Sequence, residues 1–518
     1  MFGRVFCRRQ CVHGRISVRC GSRTAGKTRP VSSLGVVEPV IGLEVHAQLL
    51  TKTKLFSAAA IDASTACNSS VADFDLGVPG TLPRLNKECV QKSLQAALLL
   101  NSQIQPICRF DRKHYFYPDM PMGYQITQQD YPIAKGGWFE YYPVEEDSAD
   151  ADFKKVRLHQ VQLEIDSGKT IKMDGNRLFI DLNRAGVGLI EIVTHPDFNS
   201  ASEAAAFVDQ LRLLLIHNHI CAGELHKGNM RIDANVSIRV NGQDKPRTEI
   251  KNINSIRLLK EAINNEVKRQ ISILEAGDEI TNVTLNADDD GNIVVLREKS
   301  DALDYRFTPE PNLPRLKIES EWVAEAKANV RYDVEYRDYI ENYGVPPGLA
   351  LSIVKDDEKS SFVRQTLPYV NAESSEYFNW FKELRVICGG LGIPYPPLNA
   401  NFVEPFVLIV NAHTNHVITK LVAIDLLKGY LKGDVSGNVD LLIEQSNLIR
   451  LHPSDPEFQG FLDAIIAKNE KVVHKIHTAT GNATKKAFNK LRNELINTSE
   501  KRISVEDAEQ AITSRLGN

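Results

Sequence analysis

The segment Phe110 to Tyr131, FDRKHYFYPDMPMGYQITQQDY, combines cationic, aromatic, acidic and amide side chains within a short stretch. Arg112 and Lys113 can neutralise phosphate oxygens. The rings of Tyr115 to Tyr117 follow directly and offer flat surfaces on which a nucleic-acid base or adenine can stack. Prolines and a glycine between positions 118 and 123 interrupt any continuous helix or central strand. The composition therefore predicts a functional loop suited to phosphate and base contacts.

Carboxylates and one imidazole occur at alternate positions of short β-prone runs. Glu44 and His46 are separated by one residue, so in a strand both side chains project from one face, and Glu164 and Asp166 repeat this spacing. Such a face would suit Mg²⁺, a hard cation that prefers oxygen ligands and accepts an occasional histidine. Spacing alone leaves open that these residues are structural or merely exposed. Further carboxylates in short apolar runs are Glu191 and Glu249.

Short strands and amphipathic helices must position these side chains. Apolar residues at three- and four-residue spacing predict helices over 202–218 and 255–276, with caps at Asn199 or Ser200 and at Asn254 or Ser255, and a stop at Gly277. Runs of β-rich composition, several of them alternating in polarity, predict strands. These runs are Val40–Leu49, Val156–Glu164, Leu178–Leu182, Ile190–Val193 and Ile232–Val240.

After Pro314 the strand signals fade and helical patterns dominate. A helix is expected over Glu321 to Tyr343, and the Gly-Val-Pro-Pro-Gly run at 344–348 then ends the sheet-containing part. Another break falls at 429–437. With 518 residues the chain should hold about three domains. The pattern predicts an α+β protein, with an α+β domain at 38–343, a helical connector at 344–436 and a small all-helical tail at 437–518.

Residues 1–37 contain eight Arg and Lys residues but no acidic residue. This composition is typical of an organellar transit peptide and predicts the mitochondrial matrix as destination. The alternative is a basic arm that binds nucleic acid. Gly21 to Thr28 also fits the pattern of a phosphate-binding loop, but Arg29-Pro30 follow where that motif needs a helix, and we interpret the match as coincidence.

A second motif, Asn286 to Gly291, resembles the start of an EF-hand calcium loop. Its last ligand position falls on Arg297 and both flanks are β-prone, so we predict a hairpin turn instead. The eight scattered cysteines fit a reducing compartment without a disulfide framework. No window is apolar over the roughly 18 residues that cross a bilayer, so no membrane partner is expected.

Eight blocks of this chain, in order, resemble the signature regions of the B subunits of glutamyl-tRNA(Gln) amidotransferases. The 110–131 segment is one of them. The others are GLEVHAQL at 42–49, PGTLPRLN at 79–86, QLEIDSGK at 162–169, DLNRAGVGLIEIV at 181–193, RIDANVSIR at 231–239, TEIKNINSIR at 248–257 and DYRFTPEPNLP at 304–314. The resemblance implies a large, mainly antiparallel sheet domain similar to glutamine synthetase and guanidino kinases.

The resemblance also implies an ATP and Mg²⁺ site with assigned side chains. Lys113 would lie against phosphate or the acyl adduct, with Tyr115 or Tyr117 beside it. Which aromatic ring stacks, and on what, the sequence leaves open. The residues implied to line the metal and nucleotide site are Glu44, His46, Glu164, Glu191 and Glu249. Those implied to take part in catalysis are Glu44, His46, Lys113, Glu164 and Glu249.

The chemistry implied is ATP-dependent amidation of Glu-tRNA(Gln) to Gln-tRNA(Gln) in mitochondrial translation. ATP phosphorylates the glutamyl side chain, and ammonia then displaces phosphate. This sequence shows neither an N-terminal catalytic cysteine nor a Ser-Gly-rich amidase segment, so ammonia would come from an A subunit, an amidase, in a heterotrimer that a C subunit completes. Two alternatives remain: a tRNA-binding scaffold without catalysis, and an independent ligase that acts on a free amino acid.

Three departures from the family pattern bear on these expectations. Asp73 to Gly77 stands where some members carry a zinc-binding cysteine pair, so zinc is not expected. His226-Lys227 replaces a carboxylate pair, although Glu224 could supply a nearby charge. The tail departs from the usual bacterial pattern, but tRNA contact is still expected there. Its basic residues are Lys468, Lys471, Lys475, Lys485, Lys486, Lys490, Arg492, Lys501 and Arg502, with His474 and His477.

Overall fold

A computed structural model describes residues 34–61, 66–143, 153–173, 175, 177–288, 293–298, 305–332, 334–397, 399–478 and 482–516. The predicted transit peptide up to residue 33, with its phosphate-loop-like octapeptide, lies outside these ranges. Within them, no helix combines the length and apolar character needed to cross a bilayer.

The strands of the described residues are concentrated in the first 320 positions and confirm the five predicted β-rich runs. They are β1 Val37–Gln48, β2 Gln103–Ile104, β3 Ile107–Cys108, β4 Asp111–His114, β5 Tyr124–Thr127, β6 Ala134–Lys135, β7 Trp138–Tyr141, β8 Lys154–Ile165, β9 Lys169–Met173, β10 Arg177–Asp181, β11 Gly188–Thr194, β12 Met230–Val240, β13 Gln243–Asp244, β14 Thr248–Ile253, β15 Val283–Ala287, β16 Ile293–Glu298, β17 Thr308–Pro309 and β18 Leu316–Lys317.

Eleven strands form one large sheet, in the order β16-β15-β14-β12-β1-β11-β8-β6-β2, with β13 beside β12 and β7 beside β8. Among the strand pairs of the described residues, only β14 and β15 run parallel. The N-terminal strand β1 therefore lies in the middle, between β11 and β12. This arrangement confirms the α+β class with a large, mainly antiparallel sheet.

The helices dominate after the last strand, which confirms the predicted change in character. They are α1 Lys87–Leu99, α2 Ala201–His217, α3 Ile256–Glu275, α4 Ser320–Ala328, α5 Glu335–Glu341, α6 Pro347–Val354, α7 Asp357–Thr366, α8 Ser374–Leu391, α9 Ala400–Thr414, α10 Lys420–Lys432, α11 Val439–Gln445, α12 Pro456–Lys468, α13 Glu470–Thr478, α14 Asn482–Thr498 and α15 Val505–Leu516. Short 3₁₀ turns occur at Leu225–Lys227 and Leu367–Tyr369.

The sheet has one apolar and one charged face. Along β1, the alternate residues Ile41, Leu43, Val45 and Ala47 are buried in the core, so the residues between them project from the opposite face. Helix α3 packs against β12 and contacts α2. The two helices start at the predicted serine caps: Ser200 accepts from the backbone N–H of Glu203, and Ser255 from that of Leu258. Residues 201–276 thus supply helices that contribute to the core.

The helix predicted over Glu321 to Tyr343 is wrong in its middle, where the chain forms α4 and α5 instead. The side chain of Asn218, at the end of α2, donates to the carbonyl of Arg331 at 3.0 Å and accepts from its N–H at 2.8 Å. These bonds satisfy the backbone groups that a continuous helix would have used. A distant residue therefore interrupts the local helical pattern.

Two separate hydrophobic clusters lie along the chain. The larger one runs from Ile41 in β1 to Ile443 in α11 and joins the sheet to the helices that follow it. The smaller one, from Leu451 to Ile512, is built by α12 to α15. The domain boundaries given above stay predictions. The EF-hand-like segment connects β15 to β16, which pair antiparallel as in the predicted hairpin, although the turn at 289–292 lies outside the described residues.

Candidate functional site

The charged face of the sheet brings together all five predicted metal-site residues. They come from neighbouring strands: β14, β1, β11 and β8, with β12 in between contributing Asp233. Two overlapping groups have potential ligand atoms within 4.8 Å of one another, and Glu44 belongs to both. The first group is Glu44, His46 and Glu191, and the second is Glu44, Asp233 and Glu249.

His46 links this cluster to Glu164. Its Nδ1 lies 3.0 Å from Oε1 of Glu164, and both side chains are largely buried. Burial by itself lowers the pKa of His46, but the negative charges of Glu191 and Glu164, with the hydrogen bond to Glu164, outweigh it and raise the pKa to about 10. Burial alone would raise the pKa of Glu164, yet His46 holds it at about 2. Without a metal ion, this pair is therefore an ion pair.

Glu191 is a buried carboxylate of the cluster whose ionisation is disfavoured. Burial and the negative charges of Glu164 and Glu44 raise the pKa of its carboxyl to about 8. Gln162 donates a short hydrogen bond to it from the neighbouring strand. A bound cation would stabilise the ionised form of this buried carboxylate, because an opposite charge nearby favours ionisation.

The second acidic group already holds a positive charge. The ammonium group of Lys251 lies 2.8 Å from Oε1 of Glu249 and 3.3 Å from Oδ2 of Asp233. Asn235 donates to Oε1 of Glu44 at 3.0 Å. Carboxylate oxygens with one imidazole form a donor set that fits Mg²⁺. The lysine in their midst shows that the face accommodates a cation.

Cations surround the other end of the charged face. The buried carboxylate of Asp166 accepts from Arg231 at 2.7 Å and from Gln48 at 3.0 Å, and Arg184 lies 3.5 Å away. Sequence reasoning identified Asp166 but missed Arg231. Arg231 and Asp233 belong to the family-like block at 231–239, and Lys251 belongs to the block at 248–257. Nothing else in the sequence marked these three residues as part of the site. The face is thus acidic in its centre and basic at one end.

The 110–131 segment, predicted as a loop, is a hairpin: β4 and β5 pair antiparallel, and a loop at 115–123 joins them. Lys113 in β4 acts electrostatically on Glu164 and Glu191, and its ammonium group lies 4.8 Å from the ring centre of Tyr305. The structure therefore brings this predicted cation to the acidic cluster.

The aromatic rings of the loop differ in exposure. Tyr115 is largely buried, and burial with the charges of Glu164 and Asp166 raises the pKa of its phenol. Its neighbour Tyr117 has 58% of its surface exposed and lies with its ring centre 5.6 Å from that of Tyr115. Tyr115 thus faces the site, whereas Tyr117 and the still more exposed Phe116 are accessible to a large ligand.

Arg112, the other cation of the segment suggested to contact phosphate, is engaged by a buried carboxylate. Its guanidinium group donates to both carboxylate oxygens of the buried Glu310, at 2.6 and 2.9 Å, and stacks 4.1 Å from the ring centre of Tyr124. A bidentate pair of this kind fixes both side chains. Arg112 therefore anchors the hairpin to the residue that follows β17, and Lys113 is the cation that faces the acidic cluster.

Glu224, named above as a substitute charge, pairs with Lys227 at 2.8 Å in the 3₁₀ turn that precedes β12. The backbone carbonyl of the adjacent Asn229 accepts from the N–H of Gln48. This turn therefore borders the basic end of the face, and the Glu224 carboxylate is engaged by its own lysine.

A second charged surface lies on the tail helices. Several of the predicted tail cations are held in ion pairs: Lys468 with Glu494, Arg492 with Glu509, Lys501 with Asp425 and Arg502 with Glu457. The exposed lysines of α13 and α14 are Lys471, Lys475, Lys485, Lys486 and Lys490. Lys486 and Lys490 also line an open groove of about 550 Å³. The predicted basic surface is thus smaller than the sequence suggested.

Comparisons with known proteins show which family this chain resembles. Residues 39–324 match the model of the GatB/GatE catalytic domain. The B subunit of the aspartyl/glutamyl-tRNA(Asn/Gln) amidotransferase of Rickettsia rickettsii is 37% identical over 447 residues, which cover 85% of this chain and 90% of the relative.

Relatives described as mitochondrial are about equally similar. The B subunit of glutamyl-tRNA(Gln) amidotransferase from Aedes aegypti is 42% identical over 65% of this chain and 66% of the relative. The corresponding subunit of Candida tropicalis is 34% identical over 85% of this chain and 90% of the relative. The matched region contains every predicted site residue. The chain belongs to the GatB/GatE family of amidotransferase subunits.

Proposed function

We propose that this chain is the B subunit of a mitochondrial glutamyl-tRNA(Gln) amidotransferase, which phosphorylates the glutamyl side chain of Glu-tRNA(Gln) and transfers ammonia to it. The observation that carries the proposal is the convergence of Glu44, His46, Glu164, Glu191 and Glu249 on one sheet face. Membership of the family and the names of its relatives support the same reaction.

The reaction needs an activated acyl group, because a carboxylate is a poor electrophile. One carboxylate oxygen of the glutamyl side chain attacks the γ-phosphorus of ATP, the bond to the ADP oxygen breaks, and an acyl phosphate forms. Ammonia then attacks the acyl carbon, phosphate leaves with the bonding electron pair, and loss of a proton from nitrogen gives the amide. Neither step requires a protein nucleophile.

The acidic cluster would hold Mg²⁺ through Glu44, His46, Glu164, Glu191 and Glu249. When bound, Mg²⁺ neutralises phosphate charge during phosphoryl transfer. The side chain of Lys113 supplies a further positive charge beside this cluster, and the ring of Tyr115 lies near Glu164 and Asp166. The exposed Tyr117 offers a stacking surface for a base at the rim.

Ammonia would come from a partner. The cysteines of the described residues offer no activated thiol: Cys89, Cys108, Cys221 and Cys388 are buried, and burial raises the pKa of each. Cys67 is exposed, but its pKa is raised as well. We therefore propose that an A subunit with amidase activity supplies ammonia and that a C subunit completes the complex.

The mitochondrial part of the proposal rests on two observations. The acid-poor, basic composition of residues 1–37 is that of a transit peptide. Relatives from an insect and a yeast carry mitochondrial names, although bacterial relatives match this chain to a similar degree. Import of the full chain, followed in isolated mitochondria with and without residues 1–37, tests it: import that does not need these residues would contradict the transit-peptide assignment.

The reaction is tested in the complex assembled with A and C subunits, by following ATP cleavage with and without Glu-tRNA(Gln). We expect cleavage that depends on the charged tRNA and is lost in His46→Ala. His159→Ala is the matched control, since His159 is an exposed histidine on β8 and should tolerate substitution. An assembled complex that binds Glu-tRNA(Gln) without cleaving ATP would favour the scaffold alternative.

A further inference from the structure

A lysine at an irregularity in β14 projects into the acidic cluster. Ile232 of β12 pairs with Ile253, and Ala234 pairs with Ile250, so β14 has one extra residue between these two pairs. A bulge of this kind re-aims a side chain and is frequent beside active sites. The residues in the bulge are Lys251 and Asn252.

Asn252 and Asp233 fix the bulge in this form. Asn252 adopts a left-handed backbone with φ of 59°, which asparagine tolerates better than most residues. Its N–H donates to Oδ1 of Asp233 at 2.8 Å, while Oδ2 of the same carboxylate contacts Lys251 at 3.3 Å. Asp233 thus holds the backbone of the bulge and the side chain that the bulge presents.

The ammonium group of Lys251 occupies the acidic group that a metal would use. It contacts Glu249 and Asp233, and the charge of Glu44 acts on it as well. These three carboxylates are the second potential metal-binding group. One lysine therefore compensates part of the negative charge that would otherwise attract a divalent cation.

We propose that Lys251 is an internal counter-cation that competes with Mg²⁺ for the Glu44–Asp233–Glu249 group and couples metal binding to nucleotide binding. In the protein alone, Lys251 compensates part of the negative charge of the group and so disfavours binding of free Mg²⁺. When nucleotide phosphates enter, they offer the ammonium group new oxygen partners, and the carboxylates become available to the metal that accompanies the nucleotide. The proposal deepens the proposed function, since it concerns the same metal site.

Magnesium titration of the full chain, without nucleotide or tRNA, tests the competition. A ligand that binds the folded state raises the unfolding temperature as its concentration exceeds Kd. We expect Lys251→Met to lower the half-saturating Mg²⁺ concentration about tenfold relative to wild type, because binding no longer displaces an ammonium group. Lys251→Arg keeps the charge and should stay close to wild type.

A matched control and a second variant keep the test decisive. Lys154→Met removes a lysine that pairs with one carboxylate, Glu203, outside the charged face, and should leave the Mg²⁺ response unchanged. If Lys251→Met does not fold, Lys251→Gln keeps hydrogen bonds to the same carboxylates without the charge. Half-saturation at the wild-type Mg²⁺ concentration or above it in the neutral variant, or no response to Mg²⁺, would overturn the proposal.

The coupling is measured by repeating the titration with a non-hydrolysable ATP analogue. The analogue should tighten Mg²⁺ binding more in wild type than in Lys251→Met, since only the wild type must move its lysine. An equal gain in both proteins would overturn the coupling. These titrations involve no turnover, so their failure is distinguishable from the failure of the amidation reaction, which is read from ATP cleavage in the assembled complex.

Discussion

The charged sheet face and the tail helices both carry many ionisable residues, but they place them in opposite ways. On the sheet, the groups are largely buried, lie on neighbouring strands and contact one another. On α13 and α14 the lysines are exposed, and only a small separate core supports them. A buried charge depends on its neighbours, whereas an exposed one is screened by salt. We propose that the first surface carries the chemistry and that the second contacts RNA through its charge.

The largest effect of a single substitution should come from Glu44, because both potential metal-binding groups share it. We expect Glu44→Gln to reduce tRNA-dependent ATP cleavage by at least about 100-fold, since metal-site partners alone contribute 10–100-fold. Folding should be retained, because the change removes a like charge from the cluster. Glu140→Gln, at a partly exposed pair with Lys155, serves as control. Equal activity of both variants would contradict the metal assignment.

Arg112 and Lys113 are adjacent in β4 but should differ in what they contribute, the first to stability and the second to ATP cleavage. Arg112→Met leaves the buried carboxylate of Glu310 without its partner and should cost about 3 kcal/mol of stability. Lys113→Met should change the unfolding temperature little but reduce ATP cleavage, by less than Glu44→Gln does. Thermal unfolding and ATP cleavage are measured for both variants. Arg112→Met that unfolds like wild type would refute the anchoring role, and adding Glu310→Gln should restore part of the stability.

Substitutions on the tail helices should change the affinity for tRNA rather than the rate of the reaction. Reversing the charge of Lys486 and Lys490 together should weaken binding of Glu-tRNA(Gln) about tenfold and reduce the salt dependence of binding. Filter binding at several salt concentrations measures both effects. Lys268→Glu, an exposed change on α3, is the control. If the double variant bound tRNA normally, the tail would not be the RNA-contacting surface.

The smallest predicted effect is one of pH on the sheet face. The folded-state pKa of Glu191 is raised from 4.5 to about 8, so its contribution to stability is fully present below pH 4.5 and is lost as pH rises through 8. Glu191→Gln keeps a neutral side chain and avoids this loss. In metal-free buffer its advantage in unfolding temperature should therefore grow over that interval, to on the order of 2 °C. A constant difference across this interval would disprove the raised pKa.

Much of the sheet and its charged face could be predicted because local rules decide them. Alternation along β1 separates Leu43 and Val45 from Glu44 and His46, and serine caps fix where α2 and α3 start. The motifs then indicated which alternating polar residues belong together. The local sequence pattern was sufficient wherever the contacts of a residue are set by residues close to it in sequence.

The failures share one physical cause, a partner far away in sequence. Arg112 is bound by Glu310, and Arg331 by Asn218, so neither the role of the first nor the break between α4 and α5 could be derived from nearby residues. The position of Lys251 against Asp233 likewise depends on a strand pairing and on a bulge in it. Pairings of this kind are fixed only by the folded chain.

The central position of β1 has a consequence for how the protein is made. Among the described strands, this strand pairs with β11 and β12, whose residues begin at Gly188 and Met230. At a synthesis rate of roughly 5–20 residues per second, β1 waits for on the order of 10–30 s before its first partner exists. During that time its apolar residues and unpaired edges are open to aggregation. The strand that carries Glu44 and His46 therefore completes its pairing only after the chain has been made to Met230 and beyond.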